Sequence, residues 1–211
     1  MFPKIILALF ILICLIIFFI FNLINFIKNK DRRLKAYAEI ERPSGIAFEL
    51  VVLGTFFFFL ESFIYPFLVF SGHASLIDFP PLKLQFEFDS YIQFLGMILT
   101  FFGYFIFLWS VFARGRYATA WEMPENHELV TWGPYRYVRH PSYLAYFLMF
   151  FGLFLMLLNL LALLPLIAIP GYIKIVEYEE KLLIKRFGEK YIEYQRKTRR
   201  FIPKIFSSKK S

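Results

Sequence analysis

SYLAYFLMFFGLFLMLLNLLALLPLIAI, residues 142–169, decides how this chain folds. The run carries no charge, and about 20 apolar residues are enough to cross a bilayer's hydrocarbon core. It is therefore either one overlong helix or two short arms. The charges beyond it choose between these. Twelve Lys and Arg lie from Lys174 onward, and a single helix would export them against the bias that keeps such residues cytoplasmic. A hairpin turning near Leu158-Asn159 returns them. Asn suits a turn, Pro165 and Pro170 kink the returning arm, and Gly188 after Phe187 reads as its C-cap.

Three more apolar runs, at 5–27, 46–70 and 90–112, lie upstream. They are continuous rather than alternating, which excludes barrel strands. The chain is 59% hydrophobic with 30 phenylalanines. The first run is too long for a signal peptide and has no small-residue cleavage site, so it reads as a retained helix. With five spans the N-terminus is external or lumenal and the C-terminus cytoplasmic. All 24 Lys and Arg except Lys4 and Lys83 then lie inside. The net charge of +8 thus records membrane topology, with anionic headgroups near the tail, and does not imply nucleic acid.

The expected fold is all-α: a polytopic integral membrane protein of about five transmembrane helices, the last two a hairpin, with a cytoplasmic C-terminal helix. One domain is expected, with anchoring helices at 1–112, a functional core at 113–203 and a basic tail at 204–211. Glu61, deep in the second run, is expected as a protonated or hydrogen-bonded carboxyl on an interior face. One cysteine, Cys14, rules out a disulfide framework. The three histidines are too scattered for a metal site, and none is expected.

The hairpin brings two polar stretches to one interface: HELVTWGPYRYVRHPSY (127–143) before its first arm, and Glu177, Glu179 and Glu180 at the end of its second. Pro141 suits the first turn of a helix and places His140 at its entrance. His, Arg, Tyr and Glu together at an interface suit a ligand that is part polar, part lipid. Taken singly, each has a plainer reading, since interfacial Tyr and Arg are commonly anchors. No Gly-rich phosphate loop or HExxH pair is present. Ser142 beside His140 lacks a legible acid partner, so it reads as a cap or packing residue rather than a nucleophile.

The 127–143 stretch and EEKLLIKRFGEKYIEYQRKTRRFIP (179–203) together resemble the isoprenylcysteine carboxyl methyltransferase family and, more widely, the membrane phospholipid methyltransferases. The resemblance implies S-adenosyl-L-methionine as methyl donor in a cytoplasmic pocket. It implies that His127, Glu128, Leu129 and Val130 line that pocket through backbone groups. Tyr135, His140, Pro141, Ser142 and Tyr143 continue its wall, and Glu179 faces the donor's ammonium. Two positions depart from the family. Ala145 stands where a glycine is usual, predicting a slightly wider helix contact. Ile175 stands where an arginine meets the substrate carboxylate, leaving Lys174 as the substrate-binding stand-in.

Arg139 is expected to hold the acceptor's anion, and Glu180 or His140 to act as base if the acceptor is an amine. The expected function is a membrane-embedded methyltransferase acting on the carboxylate of a prenylcysteine-like or other lipidic substrate taken from the bilayer. The alternatives are N-methylation of a phospholipid amine and a non-enzymatic lipid-binding or scaffolding protein of the same fold.

Overall fold

The computed structural model describes residues 1–29, 36–39, 45–117, 122–124 and 128–204. Helices α1 (Lys4–Asn29), α2 (Ile46–Phe70), α3 (Asp89–Arg114), α4 (Pro141–Leu157), α5 (Ala168–Phe187) and α6 (Glu189–Lys197) account for most of it. α1, α2, α3 and the rod formed by α5 with the 310 segment before it are long and apolar enough to cross a membrane, and α4 is a shorter apolar helix. Large side chains face outward along them: Phe67 is 68% exposed and Phe56 57%. In water such surfaces would aggregate; in lipid they are solvated. The protein is an integral membrane protein. One short antiparallel ladder, β1 (Ala36–Glu39) with β2 (Glu122–Pro124), joins the connectors after α1 and α3. The sequence gives no warning of it.

The hairpin forms where expected. Pro141 opens α4, and Leu158 closes it in the left-handed conformation (φ 46°), with its N–H bonded to the carbonyl of Phe154 at 2.9 Å. Asn159 then caps the 310 segment Leu160–Ile167 by accepting from the Leu161 N–H. A non-β-branched Leu followed by a side chain that bonds its own backbone makes this reversal affordable. The tip is also held from outside. The Leu84 N–H reaches Leu158 O at 2.7 Å, and the Leu160 N–H reaches Leu82 O at 2.8 Å. In the same loop Asp78 takes both Lys4 and Lys83, the two cations that the charge count leaves on the far side.

Small residues let the helices approach. A Cβ on Gly152 of α4 would lie 2.2 Å from Thr100 Oγ1 and 2.7 Å from Thr100 N on α3. In lipid, where tails are as apolar as Leu, close van der Waals contact is what associates helices. Ala145 is fully buried, and the close approach there comes from the other helix: a Cβ on Gly103 would lie 2.9 Å from Ala145 O. Around these contacts Phe18, Phe58, Tyr104, Phe107 and Phe150 form an aromatic core. Glu61 does face the interior, but neither carboxyl oxygen has a hydrogen-bond partner among the described residues.

Candidate active site

The open end of the hairpin gathers the residues that carry chemistry. His140 is the residue before α4, and its ring sits between two carboxylates: Nδ1 is 3.6 Å from Glu179 Oε2 and Nε2 is 3.3 Å from Glu180 Oε1. Consecutive residues on a helix point about 100° apart. Glu179 and Glu180 therefore leave α5 in different directions, and the imidazole fills the angle between them.

Their surroundings differ. Glu180 is 4% exposed and receives four donors. Arg139 Nε (2.7 Å) and His140 Nε2 reach Oε1, while Arg200 Nε (3.0 Å) and Gln195 Nε2 (3.3 Å) reach Oε2. It is a fully satisfied buried carboxylate. Glu179 accepts one hydrogen bond, from the Tyr143 hydroxyl at 2.6 Å, and 24% of its side chain stays accessible. Among the two, only Glu179 presents an open face.

The C-terminal segment closes the site from below. Gly188, at φ 54°, ends α5 and starts α6, a conformation that a side chain would strain. α6 returns under the hairpin. The Tyr194 hydroxyl donates to the carbonyl of Tyr135, and burial pushes this phenol above the usual tyrosine range, so it remains a donor. The N–H groups of Arg139 and His140 then bond the carbonyls of Arg199 and Arg200 at 2.9 and 3.0 Å. Arg139 adds bonds from Nη1 to the carbonyls of Thr198 and Gln195. The expectation that Arg139 holds the acceptor's anion thus meets a guanidinium already engaged by three protein acceptors.

The other expected residues are distributed as follows. Leu129 is buried with Tyr191 and Tyr194 of α6, and Val130 with Tyr117 and Tyr135. Glu128 is exposed, and His127 lies outside the described residues. Pro141 is buried in the first turn of α4. Ser142 faces α3, where its hydroxyl is 2.7 Å from Ser110 Oγ and accepts from Arg114 Nη2 at 3.4 Å. Lys174 is 73% exposed and pairs with Glu177 at 3.2 Å, so it is not drawn into the cluster. Ile175 is buried. Tyr143 stacks on His140 and contacts Tyr172, which stacks on Tyr146. These rings form an aromatic wall beside Glu179.

Sequence reasoning missed Arg114, Gln195, Thr198 and Arg200. The last three sit inside the 179–203 stretch, where a basic, polar tail gave no sign which of its members turn inward. Arg114 stood at the end of an anchoring span, where an arginine reads as topology alone.

These features define a polytopic helical membrane protein with a buried ionic cluster at one end of its bundle. The family model described as phospholipid methyltransferase matches residues 91–190. The proteins described as "Probable protein-S-isoprenylcysteine O-methyltransferase" of Oryza sativa subsp. indica and subsp. japonica are each 33% identical over 132 residues, covering 60% of this chain and 67% of theirs. The chain belongs to the isoprenylcysteine O-methyltransferase family. A solved structure of the eukaryotic intramembrane Ras methyltransferase ICMT (isoprenylcysteine carboxyl methyltransferase) aligns with TM-score 0.48 at 24% identity, covering 75% of this chain and 52% of that one.

Proposed function

We propose that this protein is an S-adenosyl-L-methionine-dependent membrane methyltransferase whose acceptor is the carboxylate of a prenylcysteine-like or other lipidic molecule. The observation that carries this reading is Glu179, a partly accessible carboxylate aimed by Tyr143 and flanked by aromatic rings. The donor's amino-acid end is a zwitterion and its reactive centre a sulfonium. Glu179 complements the ammonium, and the Tyr143 and Tyr172 rings complement a nearby cation. An Arg114 N–H that is shielded from water and finds no acceptor among the described residues adds the opposite charge. These residues fit the donor.

When bound, the donor supplies an electrophilic methyl group. A carboxylate acceptor is already ionised at neutral pH, its reference pKa being about 3.5, so no base is needed. The chain's task is alignment and exclusion of water. Arg139 and Glu180 serve that task by fixing residues 198–200 against the start of α4.

A second reading, N-methylation of a phospholipid amine, is favoured by the description of the family model that matches 91–190. There a proton must leave, and His140 or Glu180 is the candidate base. The positive-inside bias supports a cytoplasmic position for the open end of the bundle.

Calorimetric titration of detergent-solubilised protein with S-adenosylmethionine tests the donor. Absence of binding by folded protein sinks the proposal. Labelled donor with prenylcysteine, fatty-acid and phosphatidylethanolamine acceptors separates the two readings, and transfer to the amine lipid alone would overturn the first. A C-terminal reporter found outside the cell would overturn the orientation.

A further inference from the structure

Among the cations near the open end of the hairpin, Lys174, Arg139 and Arg200 are already committed. Lys174 points outward onto Glu177. Arg139 holds Glu180 and two backbone carbonyls. Arg200 bonds Glu180 through Nε and lies 3.9 Å from Glu177 through Nη1. Arg114, the last residue of α3, is different. Its Nη2 makes one long bond to Ser142 Oγ at 3.4 Å, and its Nε is shielded from solvent with no acceptor among the described residues.

The hydroxyl protons around it can be assigned. Ser110 donates its only proton to the carbonyl of Phe107, so the 2.7 Å contact between Ser110 and Ser142 must carry the Ser142 proton. Ser142 then offers Arg114 only a lone pair. The two serines aim the guanidinium without neutralising it. Through Ser142 it is tied to the first turn of α4, one residue from Tyr143, whose hydroxyl bonds Glu179, and its charge is felt at Glu179. A shielded guanidinium N–H left unbonded is costly, and a planar fork of donors matches a carboxylate.

We propose that Arg114, aimed by Ser142 and Ser110, is the carboxylate-holding residue of this site. The proposal rests on the methyltransferase reading and deepens it. The carboxylate belongs either to the donor's methionine end, opposite the ammonium that Glu179 meets, or to the acceptor. The chemistry is shared, and matched ligand pairs tell the sources apart.

Full-length wild type, Arg114→Gln and Arg114→Lys in detergent are titrated with four probes. These are S-adenosylmethionine and its decarboxylated form, and N-acetyl-S-farnesylcysteine and its methyl ester. Wild type is expected to favour the carboxylate-bearing member of at least one pair by about tenfold or more. Arg114→Gln is expected to erase that preference while binding the carboxylate-free member as wild type does, with Arg114→Lys intermediate. Loss in the first pair assigns the subsite to the donor, and loss in the second to the acceptor. Should Arg114→Gln fail to fold, Ser142→Ala, which removes the aim but keeps the charge, is expected to lower the preference several-fold. Unchanged discrimination in both pairs, or none in wild type, overturns the proposal. If no S-adenosyl compound binds wild type, the methyltransferase reading falls, and the acid–ester pair still decides Arg114.

Discussion

Tyr143 donates a 2.6 Å hydrogen bond to Oε1 of Glu179, tying the first turn of α4 to the far half of α5 across the mouth of the hairpin. Of Glu179 and Glu180, the bond fixes the direction of the carboxylate that keeps an open face. Tyr143→Phe preserves the ring contacts with His140 and Tyr172 and removes only the donor. Donor affinity, read by calorimetry, is expected to fall about five- to tenfold, and in Glu179→Ala roughly ten- to hundredfold. Unaltered affinity in Tyr143→Phe would show that the phenol does not aim the carboxylate.

Glu180 predicts a different signature. Its four donors and its burial make it the keystone of the strap formed by residues 198–200. Glu180→Ala leaves the 9% exposed side chain of Arg139 without its counter-charge. Breaking such a buried pair costs on the order of 3–5 kcal/mol, so thermal unfolding in detergent should move down by many degrees. A variant that kept its Tm but lost turnover would instead mark Glu180 as a base.

Much of this arrangement was legible in the sequence, for identifiable reasons. Hydropathy and the Lys/Arg distribution are long-range averages that no single contact overrides. They placed the spans and the reversal at Leu158-Asn159, and Gly188 marked the break before α6. The resemblance placed His140, Tyr143 and Glu179 on one site, and the geometry brings these three together. What stayed hidden depends on rotation and reach. Arg139 and Arg114 are both arginines next to helix ends, and only the fold shows that one is engaged by Glu180 and two carbonyls while the other keeps an N–H unbonded among the described residues. Ser142 lies next to Tyr143 in sequence, yet faces α3 instead of α5.

The contact between α3 and α4 is tight enough to forbid one methyl group. In Gly152→Ala the new carbon would meet Thr100 Oγ1 at 2.2 Å and Thr100 N at 2.7 Å, and a backbone atom cannot swing aside. A loss of about 3 kcal/mol or more is expected, at the upper end of overpacking costs, visible as a lowered Tm or as loss of folded protein. Adding Thr100→Ala removes the hydroxyl but not the backbone clash, so it should restore only part of the loss. Full stability in Gly152→Ala would contradict the close approach.

Glu61 offers a prediction of the opposite sign. Its carboxyl oxygens are shielded and unbonded among the described residues, and a buried polar group without a partner costs about 1–3 kcal/mol. Glu61→Met, similar in length and apolar, is expected to raise the Tm in detergent by a few degrees. A lower Tm would reveal a partner for the carboxyl.

The far end of the bundle responds to pH through Asp78. Burial alone would raise its carboxyl above the ordinary range, but hydrogen bonds and charge from Lys4 and Lys83 outweigh it and hold the group below. A carboxylate depressed in the folded state stabilises fully above its unfolded value, about 3.9, and the contribution is lost as pH falls through the lower folded value. Asp78→Asn is therefore expected to lower the Tm at pH 7, with the gap to wild type narrowing below about pH 4. Asp78 is 36% exposed, so the effect is small and salt weakens it. Thermal unfolding from pH 7 to pH 3, at low and high ionic strength, reads both trends. A gap that widened on acidification would mean that Asp78 is not held ionised by the two lysines.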